Sequence, residues 1–104
     1  LNRKLKARAE FTYKRLNEID RISTRRAKGA FYMFPKIDLD GTPWKTDKDF
    51  VLDLIAEEGV VVVHGSGFDP EFGSGHFRTI TLPQMEVLEE AYDKLERFIS
   101  RHVA

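Results

Sequence analysis

Gly73-Ser74-Gly75-His76-Phe77-Arg78-Thr79-Ile80-Thr81-Leu82-Pro83 is the stretch on which the fold turns. Glycines end a loop, residues from His76 to Leu82 alternate as a strand does, and Pro83 suits the first position of a helix. Downstream, Met85, Leu88, Tyr92, Leu95 and Ile99 recur at helical spacing. The helix they predict runs to about His102, a length of ~27 Å at 1.5 Å per residue. Upstream, the β-branched run Val60–Val63 predicts a strand buried on both faces. The loop between the two strands, Gly65 to Gly75, leads into a strand and lacks the helix N-terminus that attracts phosphate. It matches neither a dinucleotide fingerprint, which fails at Pro70 and Arg78, nor a phosphate-binding P-loop. A plain connecting loop is its simplest reading.

Further out, Thr46 or Asp47 can cap a helix that runs to Glu58, with Phe50, Val51, Leu54 and Ile55 as its buried stripe. Gly59 suits the left-handed position that ends it. Asp38 to Pro43 holds turn chemistry at Asp40-Gly41. Ala30–Phe34 is aromatic-rich and predicts a strand ended by Pro35, preceded by a second strand over Ile22–Ala27 and a break at Lys28-Gly29. Leu1, Leu5, Ala9, Tyr13, Leu16 and Ile19 predict a helix over residues 1 to 19. The order α-β-β-α-β-β-α is not a strict βαβ alternation. An α+β two-layer sandwich, a small and mostly antiparallel sheet packed by helices, fits it.

A chain of 104 residues with eight Phe and 41% apolar residues supports one domain and a real core. Lys+Arg and Asp+Glu balance at 17 each, which gives no reason to expect nucleic acid or an anionic membrane as partner. The chain has no cysteine, which removes disulfides, thiolate catalysis and Cys-based zinc sites. No apolar run approaches the ~20 residues that span a bilayer, and the basic start lacks a signal peptide's apolar stretch. Cytoplasm is the default compartment. The chain begins at Leu1, within a helical pattern, and reads as a piece of a longer protein.

Few residues invite a chemical role. His64, His76 and His102 lack metal-ligand spacing, and no metal site is expected. Asp38 with Asp40, and Glu89 with Glu90, sit in turn and helix-surface contexts that solvation explains. Arg78 stands out, in a strand between Phe77 and an apolar run. Its rigid fork of donors matches a carboxylate in two parallel bonds. Read from the residues alone, an exposed salt-bridging arginine is the competing account.

Three segments together resemble the C-terminal small domain of the class I/II aminotransferases, the fold-type I enzymes that use pyridoxal phosphate. They are Lys28-Gly29-Ala30-Phe31-Tyr32-Met33-Phe34-Pro35; Gly65-Ser66-Gly67-Phe68 with Gly73-Ser74-Gly75-His76-Phe77-Arg78; and Leu82-Pro83 leading into Leu88-Glu89-Glu90-Ala91. The phrase His64–Phe68 is most similar to the alanine aminotransferase branch. His64 and Asp69 depart from the family's usual Pro and Gly.

The resemblance implies that Arg78 binds the substrate's α-carboxylate in a cleft completed by a second domain. Gly29 would let the backbone pass close to that cleft, or simply break two strands, and Tyr32 and Phe68 would line its mouth or pack in the core. It implies a whole enzyme that moves an amino group between an amino acid, with alanine the first choice, and a 2-oxo acid. That enzyme would be a homodimer. The pyridoxal 5'-phosphate and its Schiff-base lysine would belong to a large domain absent from residues 1–104, so the segment alone would hold no catalytic or cofactor-binding residue and would be inactive. Residues 1–19 would be the end of the interdomain helix. A non-catalytic α+β module that binds small carboxylates or amino acids is the alternative.

Overall fold

Pro35 organises the sheet. It has no N–H to donate, yet its carbonyl accepts from Phe77 N at 3.0 Å, and the strand it was expected to end continues beyond it. Tyr32 pairs with Ile80 and Met33 with Thr79 before it, and Lys36 with His76 after it, all in one antiparallel register. Residue 35 lies opposite Phe77 in that register, so the proline costs the ladder the bond its N–H would have given to the partner strand, and pairing resumes one residue later. The result is a strand in two pieces along one edge of a central strand.

The computed structural model of the chain describes residues 3–26, 32–65 and 75–103. Among these the order is α1 (Arg3–Glu18), β1 (Ile22–Ser23), β2 (Tyr32–Met33), β3 (Lys36–Ile37), α2 (Asp47–Glu58), β4 (Val63–His64), β5 (Phe77–Ile80) and α3 (Met85–His102). The α+β architecture expected from the sequence is present, with β3 as an element the sequence reading lacked. β5 lies between β2 and β4, β3 pairs with β1, and every pairing is antiparallel.

α2 and α3 cover one face of this sheet. Phe50 of α2 meets Phe77 of β5 at 5.7 Å between ring centroids, and Trp44 stacks on Phe98 of α3 at 5.0 Å. Leu88, Tyr92, Leu95 and Ile99 are buried as the spacing predicted, and Phe98 joins them. The buried Tyr92 hydroxyl bonds the Thr79 hydroxyl at 3.1 Å, tying helix to sheet. The Thr12 hydroxyl of α1 is also buried, beside that of Tyr92. α1 is bound to α3 by Arg15, which reaches Asp93 at 2.9 Å and Glu96 at 2.8 Å.

Caps follow the sequence closely. Thr46 accepts from Asp49 N at 3.1 Å, a bond worth ~1 kcal/mol, and Gly59 closes α2 at φ 70°. α3 starts later than expected. Gln84 is its N-cap, so Pro83 lies just outside the helix rather than at its first position.

Three other expectations change. The strand predicted over Ile22–Ala27 is confined to Ile22–Ser23. Asn17 accepts from Thr24 N and donates to Thr24 O, both at 3.1 Å, which takes the Thr24 backbone out of the ladder. Ala27 lies outside the described residues. Ile55 is 37% exposed rather than part of the buried stripe, because α2 is covered on one side only. Val60–Val63 is not buried on both faces: Val60 and Val62 face the core, while Val61 is 75% and Val63 40% exposed. A buried run of this kind needs layers on both sides of the sheet. The described residues place helices on one.

Candidate functional site

β5 presents its side chains alternately to the two faces of the sheet. Phe77 and Thr79 point to the helices and are buried. His76, Arg78 and Ile80 belong to the other face. The register there brings Tyr32 opposite Ile80 and Val63 opposite Arg78, and the same pairing puts Phe34 across from Arg78 on the second side. The open face is therefore an aromatic and aliphatic strip with one arginine at its centre. Tyr32 is 45% exposed and Ile80 52%, whereas Arg78 is half-buried among its neighbours.

Two stacks order this strip. His76 lies on the Phe34 ring, 5.0 Å between centroids and 11° from parallel. The Arg78 guanidinium carbon lies over the Tyr32 ring at 5.2 Å. Gly75, at φ 75°, turns the chain into β5, and its carbonyl accepts from Ile37 N at 2.7 Å. The root of the arginine strand is thus fixed to β3.

The structure brings together two of the residues singled out from the sequence, Arg78 and Tyr32. Gly29 and Phe68 lie outside the described residues. Arg78 does face away from the helices, on a surface that the described residues leave open. Phe34 and His76 were not foreseen as neighbours of the site. Their signal was present in the period of two that Phe34 shares with Tyr32, but only the pairing across Pro35 shows that His76 belongs with them.

A lysine that forms a Schiff base is usually desolvated, which makes its amine nucleophilic. The described lysines other than Lys94 are exposed, and Lys94 pairs with Glu90 at 3.2 Å. Lys36 and Lys45 line an open hollow of about 550 Å³ together with Arg21, Asp38 and Asp40. Among the described residues no group of three or more His, Asp or Glu is arranged to hold a metal ion, and no helix is long and apolar enough to cross a membrane.

The sequence profile "Aminotransferase class I and II" matches residues 1–95. The chain belongs to the class I and II aminotransferases. It is 44% identical over 88 residues to the glutamate-pyruvate aminotransferase AlaA of Haemophilus influenzae, an alignment that covers 85% of this chain and 22% of that protein. It is 37% identical over 102 residues to human alanine aminotransferase 1, covering 90% of this chain and 21% of that one. Among solved structures, the alanine aminotransferase of Pyrococcus furiosus superposes with a TM-score of 0.89 at 55% identity, over 95% of this chain and 24% of its own. The chain thus spans about a fifth of the length of these curated relatives. The family consists of pyridoxal-phosphate-dependent transferases. The described residues of this chain do not by themselves fit that cofactor, since no lysine among them is enclosed.

Proposed function

We propose that residues 1–104 are the small, substrate-recognising domain of a pyridoxal-phosphate aminotransferase that exchanges an amino group between alanine and a 2-oxo acid. The observation that carries this reading is a half-buried arginine at the centre of an open, aromatic sheet face, in a chain of this family. In this account Arg78 holds the α-carboxylate of the amino acid through its two parallel donors. That contact fixes the substrate's orientation, which is positioning catalysis. The cofactor supplies the electron sink when bound, and a large domain beyond this segment holds it. Residues 1–19 are then the end of the helix that joins the two domains, and the open face of β5 forms one wall of the cleft between them.

The choice of alanine is supported by the names of the relatives, three of which are alanine or glutamate-pyruvate aminotransferases. We infer further that the whole enzyme is a cytoplasmic homodimer. The segment alone has no described lysine to carry the chemistry, and in this reading it is inactive.

The test is made on the full-length protein. It should absorb visible light when purified with its cofactor and convert alanine and 2-oxoglutarate to pyruvate and glutamate. It should use alanine in preference to aspartate and phenylalanine. A protein without the cofactor band, or one that ignores alanine, would overturn the proposal. The isolated segment should show no saturable binding of alanine or glutamate in an NMR titration; tight binding there would favour an independent carboxylate-binding module.

A further inference from the structure

Arg78 is not the end of the open face's design. Tyr32 sits on β2, 46 positions earlier in the chain, and reaches the guanidinium because of the sheet's register alone. Its direct partner is Ile80, which makes Arg78 its diagonal neighbour, within reach of a long side chain. The arginine has an aromatic ring nearer in register, since Phe34 lies straight across from it. That ring is already covered by His76 at 5.0 Å and 11°. The two contacts repeat one register offset: each aromatic of the 32–37 strand receives the β5 residue two positions before its own partner. His76 lies on Phe34, and Arg78 lies on Tyr32 at 5.2 Å.

We propose that Tyr32 is a positioning residue, whose ring sets the direction of the Arg78 fork. The inference rests on the reading of Arg78 as the carboxylate ligand. A cation over an aromatic ring is held through the face of its plane. The guanidinium's own donors lie in its plane and meet a carboxylate edge-on. Held in this way, the arginine has less side-chain freedom to lose when the substrate arrives. Val63, opposite Arg78 on the other neighbouring strand, offers only an aliphatic flank and can supply no such stack.

The experiment is a double-mutant cycle in the full-length enzyme, read as kcat/KM for alanine. Tyr32→Leu keeps an apolar side chain and removes the ring. It should lower kcat/KM by about 2- to 5-fold, most of it through KM, the scale of a cation–π contact at a partly exposed site. Tyr32→Phe keeps the ring and should recover most of that loss. In an Arg78→Leu background, Tyr32→Leu should cost nothing more. The thermal midpoint of each variant is followed alongside.

A Tyr32→Leu enzyme as active as the parent overturns the positioning role, as does a loss of equal size in both backgrounds. A Tyr32→Phe enzyme as poor as Tyr32→Leu would assign the effect to the hydroxyl and overturn it also. An Arg78→Leu enzyme with unchanged kcat/KM would instead remove the carboxylate reading on which the inference stands.

Discussion

The two faces of the three-stranded sheet are built from alternate residues of the same strands and are opposite in character. On the inner face, Met33 is 3%, Phe77 0% and Thr79 5% exposed, each covered by the helix layer. On the outer face their immediate neighbours Tyr32 and Ile80 are 45% and 52% exposed, and Arg78 stands between aromatic and aliphatic side chains. One residue of offset along β5 separates a packing role from the recognition role proposed for Arg78. The strand's period of two thus gives the core and the proposed site a common backbone, so the rigidity of one is passed to the other.

Substitutions on the inner face should act on stability, and the largest effect is expected at its centre. Phe77→Ala removes a fully buried ring that touches Phe50. It should cost ~3–5 kcal/mol in denaturant unfolding. A loss under 1 kcal/mol would mean that the two faces are less distinct than their burial implies. Tyr92→Phe is a milder probe of the same side. It leaves the Thr79 hydroxyl buried without its partner. A loss of about 1–3 kcal/mol is expected.

Tyr92 also gives the inner face a pH dependence. Burial raises the phenol above its ordinary value of 10.0, against the smaller opposing effect of its hydroxyl neighbours. The folded state therefore keeps a proton that the unfolded chain releases more readily. Its contribution to stability is fully present below pH 10 and is lost as pH rises through the higher folded value. Unfolding followed from pH 8 to 11 should show a steeper alkaline decline in the parent than in Tyr92→Phe. Identical slopes would contradict the assignment. The outer face should respond least: Ile80→Thr is expected to change stability by no more than ~0.5 kcal/mol.

Much of this contrast was legible in the sequence, and its gaps have physical causes. α2 and α3 announced themselves through spacing and through Thr46 and Gly59, because caps and amphipathic stripes are local signals. Arg78 was visible as a charged residue within an apolar strand, and the family pattern gave it a role. Lys36–Ile37 was missed because a proline normally argues against continued pairing. Only the partner strand shows that the ladder resumes beyond the bond lost at Pro35. Val60–Val63 was read as doubly buried because a run of valines carries no alternation of its own. The number of layers over a sheet is a tertiary fact. The Tyr32–Arg78 stack was beyond a linear reading, since it depends on the register of strands 46 positions apart.

The account rests on Arg78 serving recognition and not packing. Arg78→Leu in the full-length enzyme tests this most directly, with the thermal midpoint and kcat/KM for alanine measured on the same preparation. Loss of a charge-assisted pair worth ~1.5–3 kcal/mol should lower kcat/KM by at least about 10-fold. The midpoint should stay within about 2 °C of the parent, as for other replacements away from the core. Unchanged kinetics with a midpoint several degrees lower would contradict the account and make Arg78 a structural residue.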